Sequence, residues 1–154
     1  MSPAEFMTEI VLPTAIEFRD APRDRRRAYL ACIIAFSACE YLKESGEVNV
    51  GERMRTETGA AYDVVRGVCN GSKHAGADRK HAIAFKPGSD YDRPPARAGE
   101  LQAGISRLGD TIGGREILTG STGGADVYQA VATFLKAFAT VYPVHFVNCD
   151  LSVL

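Results

Sequence analysis

Residues 28–39 read AYLACIIAFSAC, the longest nearly apolar run in the chain. A run of this length is too short to span a bilayer and is interrupted by Ser37, so it reads as a buried helix of a folded domain with no membrane role. Tyr29, Leu30, Ile33, Ile34, Phe36, Tyr41 and Leu42 make this helix apolar almost all round. That pattern calls for neighbours on several sides. Asp20 is a candidate cap, Pro22 would sit in the first turn, and Gly46 ends the helix after Glu44.

The surrounding chain supplies the neighbours. Residues 3–19 carry a helical apolar face (Phe6, Met7, Ile10, Val11, Ile16, Phe18), and Pro13 is expected to kink or divide that helix. Asn49 with Glu52 predicts a cap for a third helix running from Val50 to His74, with a weak point at Gly59. The final helix is the clearest. Val127, Val131, Phe134, Leu135, Phe138 and Val141 recur at three and four, Asp126 favours its start, and Pro143 follows its end.

Between these helices the composition changes. Residues 81–86 read as a short strand, and 87–99, with three prolines and two glycines, as a loop. Residues 101–112 fit neither period. Gly113-Gly114 before Arg115, Glu116 and Ile117 predicts a hairpin turn into a strand, and 119–124 another turn. The tail, 144–154, reads as an extra strand or a subunit contact. The expected fold is therefore mainly α: one domain over residues 1–154, a bundle of four to five helices with a small β-hairpin before the last, inserted at about 76–124.

The 154 residues allow one domain with a core. The net charge of -1 excludes a globally basic nucleic-acid binder, so any attraction to phosphate must be local. Two basic clusters qualify: Arg19, Arg23, Arg25, Arg26 and Arg27, and Arg66, Lys73, Arg79 and Lys80 with His74 and His81. Either also reads as ordinary solvated surface. The four cysteines include no C-x-x-C pair, and Cys32, Cys39 and Cys69 lie in apolar surroundings. The expectation is a reducing cytoplasm without disulfides. His74, His81 and His145 with Cys69 or Cys149 lack metal-ligand spacing, so no metal and no cofactor is expected. Ser121, Thr122, Gly123 and Gly124 before a helix suit an anion cradle or, more simply, a turn and cap.

The stretch with chemical content is 63–74, DVVRGVCNGSKH. Arg66, Asn70 and His74 are four apart, with Asp63 and Lys73 on the same side and Ala61, Val64, Val65, Val68 and Cys69 opposite. Histidine can move a proton near neutral pH, arginine can hold a phosphate with a planar fork of donors, and asparagine can fix either. These groups suit metal-independent RNA cleavage, in which the 2′-hydroxyl attacks the adjacent phosphorus. The same spacing is also that of the wet face of an amphipathic helix with an Asp63–Arg66 pair. Gly67 and Gly71 point to close approach of another backbone or a ligand.

Asn70-x-x-x-His74 near the end of a core-packed helix resembles the motif of the HEPN nucleases and their inactive relatives. Their usual form is Arg-Asn-x-x-x-His, or Arg followed by His after four to six residues. Here Cys69 stands in the arginine position and Arg66 lies one turn earlier. The resemblance implies RNA binding and, with His74, Asn70 and Arg66 as catalytic residues, metal-independent cleavage; Lys73, Arg79 and Lys80 would contact nucleic acid. It further implies a homodimer, meeting through the 66–74 face or the apolar tail, in a bacterial defence, toxin–antitoxin or phage setting. The chain also resembles small uncharacterised bacterial and phage helical proteins, a likeness that implies no activity. The alternative is a non-enzymatic module that binds a protein partner, as a phage-encoded inhibitor or a partner subunit.

Overall fold

In a computed structural model of the chain, which describes residues 1–74, 89–118 and 124–154, the fold is mainly α with a small antiparallel sheet before the last long helix. The first helical stretch comprises α1 (Pro3–Phe6), a π-helical turn (Met7–Val11) and α2 (Leu12–Asp20). Ser2 opens it through a reciprocal capping box with Glu5, and Pro3 takes the first helical position, where its missing donor costs nothing. Pro13 neither stops the chain nor divides it. The wide turn directly before it, in which the Leu12 amide reaches back to the Met7 carbonyl, carries the helix past a residue that cannot donate.

Helix α3 spans Arg25–Glu44. Its cap is Asp24, whose carboxylate accepts from the Arg27 amide at 2.9 Å, and not Asp20, which ends α2. Pro22 accordingly lies in the connection. The buried residues of α3 are Ala28, Ala31, Cys32, Ala35, Ala38, Cys39 and Leu42, a ridge of mostly small side chains. The all-round burial expected from composition is corrected: Leu30 is exposed, and Tyr29, Ile33, Ile34 and Phe36 are only partly covered. Small residues let α5 and α6 come close on one side, and Leu30 is left exposed on the other.

The predicted long third helix is two helices, α4 (Val50–Thr58) and α5 (Ala60–His74). Gly59 between them has φ +53° and ψ -120°, a conformation that a side chain would resist. Asn49 precedes α4 in the left-handed region (φ 54°) and makes no side-chain cap, so the expected Asn49–Glu52 capping pair does not form. Helix α6 (Val127–Val141) starts on Asp126, which accepts from the Gln129 amide at 3.0 Å. Val127, Val131, Phe134, Leu135 and Phe138 are buried. Phe36, Tyr62, Phe134, Phe138 and Phe146 form a chain of ring contacts, with centroids 5.3 to 6.5 Å apart, that ties α3, α5 and α6 together. The tail is not a strand. It forms a short helix α7 (Pro143–Phe146) and a 3-10 turn (Leu151–Val153), anchored by buried Phe146 and Leu151.

The sheet has the order β1–β2–β3: β1 (Asp90–Arg93), β2 (Gly114–Leu118) and β3 (Gly124–Asp126). Strand β1 lies inside the stretch expected to be a loop. It, and not a residue pair next to the Gly-Gly turn, is the first partner of β2, so Gly113-Gly114 does not close a tight hairpin. Between β1 and β2 the chain makes a series of turns over 94–113. The turn expected at 119–124 falls, up to 123, outside the described residues, as does the expected strand at 81–86. No helix among the described residues is long and apolar enough to cross a membrane.

Phe134 is fully buried where α3, α5 and α6 meet. Phe134→Ala should therefore cost ~3–5 kcal/mol in denaturant unfolding. A loss under about 1 kcal/mol would contradict this packing.

Candidate functional site

Helix α5 is covered on most of its circumference. Tyr62, Val64, Val65, Gly67, Val68, Cys69 and Gly71 are all buried, which leaves a narrow stripe of half-exposed Asp63, Arg66 and Asn70. The two glycines are thus on the covered side of the helix. Asp63 does not pair with Arg66; it faces Arg55 across the Gly59 break, at 3.4 Å. Arg66 carries no ion pair among the described residues, and its guanidinium lies 6.0 Å from the centre of the Tyr62 ring. Cys69, at the position where the resembled motif has arginine, is fully buried, so a side chain there faces the core and not the stripe. Lys73 and His74 end the helix, with side chains outside the described residues. Arg79 and Lys80 also lie outside them.

A second polar constellation, which no sequence motif marks, lies on the sheet. Strand β1 alternates: Asp90 and Asp92 face the bundle, Tyr91 and Arg93 the other way. On the bundle side, Asp90 accepts from Arg25 (2.7 Å) and from the Tyr29 hydroxyl (2.7 Å), with Arg115 at 3.5 Å. Asp92 takes the fork of Arg23 through both oxygens, at 2.8 and 2.5 Å, while the same guanidinium reaches Glu100 at 3.0 Å. On the outer side, register places Glu116 opposite both Tyr91 and Asp126. Buried Arg93 then bonds Glu116 and Asp126, each at 2.6 Å, and also pairs with Asp110, while Arg107 adds a second cation to Glu116 at 2.6 Å. The hydroxyl of Tyr91 donates to Glu116. Gly113 and Gly114 make room: a Cβ on Gly113 (φ +79°) would lie 2.4 Å from the Arg93 carbonyl, and one on Gly114 would press on the Arg93–Asp126 pair.

These contacts shift the acids and bases in the directions expected of an internal cement. Burial alone would raise the Asp90 carboxyl, but the bonds from Arg25 and Tyr29 and the charges of Arg25 and Arg115 hold it below the usual range. The Arg23 bond does the same for Asp92, and Arg97 with Arg23 for Glu100. Burial first, and then the bond to Glu116, pushes the Tyr91 hydroxyl up to about 12. A cleft of about 450 Å³ opens beside the cluster, between Arg19, Arg107, Leu108, Ile112 and Tyr128. The charged groups of the cluster are spent on one another, which suits fixing a sheet to a bundle better than meeting a substrate. The basic run at 19–27 is largely spent too: Arg19, Arg23, Arg25 and Arg27 all bond internal oxygens.

The signal that would have disclosed this cluster is the two-residue alternation of Asp90, Tyr91, Asp92 and Arg93 against Arg115 and Glu116, obscured by the prolines and glycines around it. Comparison with known proteins finds no matching family model, no matching curated protein and no matching solved structure.

The carboxyls of Asp90 and Asp92 are lowered in the folded state, so their stabilisation is present above the ordinary value of about 4 and is lost as pH falls through the lowered one. Asp92→Asn should lower the melting temperature at neutral pH, and the gap to wild type should close below about pH 4, in parallel thermal melts across pH. A gap that does not change with pH would contradict the ion-pair account.

Proposed function

We propose that the α5 stripe is an RNA-binding surface of an HEPN-like protein, with Arg66 as the phosphate contact and Asn70 as its neighbour. The observation that carries this reading is that Arg66 lies over the Tyr62 ring with no carboxylate partner among the described residues, a state it shares only with Arg26 and Arg27 of α3, whereas Arg19, Arg23, Arg25, Arg53, Arg55, Arg93, Arg97, Arg107 and Arg115 all have one. A guanidinium kept over an aromatic ring, on a helix otherwise given to packing, holds an open fork of donors suited to a phosphodiester. Lys73, Arg79 and Lys80 extend the same basic stretch of sequence. His74, one turn beyond Asn70, is the proton-transferring group of a metal-independent cleavage, with Arg66 steadying the charge that builds on the phosphate. The buried Cys69 weighs toward binding over catalysis, because the motif arginine has no equivalent there. The setting that accompanies the resemblance is bacterial defence, a toxin–antitoxin pair or a phage.

A second reading, a protein-interaction module, is favoured by a separate feature. Leu101, Leu108 and Ile112 stand 60%, 100% and 65% exposed on the turns between β1 and β2, together with exposed Ile105. Apolar side chains gathered on one surface segment suit a protein partner better than a nucleic acid.

The discriminating measurement is anisotropy of labelled single-stranded RNA in a salt series, with gels for cleavage and circular dichroism as the fold control. Arg66→Ala should weaken binding several-fold and reduce the salt slope by about 1, because one phosphate contact is lost. Lys73→Ala should act in the same direction more mildly. His74→Ala should abolish any cleavage while the fold survives. Absence of both binding and cutting by wild type at low salt would refute the RNA reading in favour of the protein-interaction one.

A further inference from the structure

Helix α3 has a face diametrically opposite its buried ridge. At about 100° per residue, Ala28, Ala31, Cys32, Ala35, Ala38, Cys39 and Leu42 surround one line along the helix, and Arg26, Leu30, Ile33, Ser37, Glu40 and Glu44 fall within roughly 40° of the opposite line. Spaced four, three, four, three and four, this outer stripe repeats like the seam of a coiled coil. Its middle is apolar or small: Leu30 is 37% exposed, and Ile33 and Ser37 are partly exposed. The hydroxyl of Ser37 is already bonded to the Ile33 carbonyl at 2.8 Å, so covering it strands no donor. Its ends are exposed and of opposite charge. Arg26 makes no ion pair among the described residues, Glu44 makes none, and Glu40 holds only the exposed Lys43 on its own helix.

We propose that a second copy of this chain packs on the outer stripe of α3, antiparallel, about a two-fold axis at Ile33. A two-fold contact must be self-complementary, and this stripe is. With Ile33 meeting its own copy on the axis, Leu30 falls against the partner helix at the level of Phe36 and Ser37. Arg26, seven residues before the axis, then meets the partner's Glu40, seven residues after it; the same pairing recurs at the other end. Ser37 is the small residue that lets the helices approach. The overlap of the two stripes, from 26 to 40 in each copy, is about 21 Å long, and flanking Tyr29, Ile34 and Phe36 widen the covered area toward what a stable interface requires. The occupant is unlike a polyanion, because Glu40 and Glu44 would repel one. This assigns the second copy to α3, and neither to the α5 stripe nor to the tail, and it stands whether or not the protein binds RNA.

The test is sedimentation equilibrium of the full chain over a concentration series, with circular dichroism as the fold control. Wild type should be dimeric. Ile33→Asp, a change on the solvent side of the free helix, should give a folded monomer. Arg26→Glu should weaken the dimer by about ten-fold or more by placing like charges together at both ends of the seam. Arg26→Glu combined with Glu40→Arg restores opposite charges and should restore wild-type affinity. The reversal pair keeps the test sharp if Ile33→Asp fails to fold. A monomeric wild type, a dimer indifferent to Arg26→Glu, or failure of the double reversal to recover it would each overturn the proposal.

Discussion

A narrow ridge of alanines and cysteines along α3 sets how closely the other helices can pack. Side chains this small cover little apolar area individually. They permit α5 and α6 to lie close enough for the rings of Phe36, Tyr62 and Phe134 to meet across the gap, with Phe138 edge-on to Phe134. The large residues of α3 are thereby moved off the core-facing line, to its flanks and its back. The outer stripe is the corollary: once the small residues face inward, Leu30 and Ile33 have nowhere to turn but outward.

The sheet is attached by a different principle. Ile117 is its one fully buried apolar residue among those described, and the rest of the attachment is ionic: Arg23 with Asp92 and Glu100, Arg25 with Asp90, Arg115 beside Asp90. On the far side Arg93 gathers three carboxylates and so secures the 94–113 turns through Asp110. Removing one member of such a buried group leaves the others without compensation, a larger loss than the pair itself contributes. The bundle and the sheet therefore respond to different conditions, the first to changes of volume and the second to changes of charge. Against this background Arg66, on α5, stands with Arg26 and Arg27 of α3 in having no acidic partner among the described residues, and it alone of the three lies over an aromatic ring.

The features legible in the residues alone are those that short-range physics sets. Apolar spacing of three and four marks α6 and the buried side of α5, Gly59 marks the break before α5, and Asp126 marks the start of α6, because each depends on residues within one or two turns. The polar stripe of Asp63, Arg66 and Asn70 was legible for the same reason. Three things were left to the tertiary structure. Which side of α3 turns inward depends on what packs there, because its middle is apolar almost all round and only Arg26, Glu40 and Glu44 at its ends mark the outer line. Asp63 chose Arg55 over the nearer-in-sequence Arg66 because the Gly59 turn folds α4 back beside α5. And β1 exists because Asp90, Asp92 and Arg93 find partners 33 to 69 residues away. A strand held by distant charges has no local hydrophobic period, and only the folded chain brings those charges together.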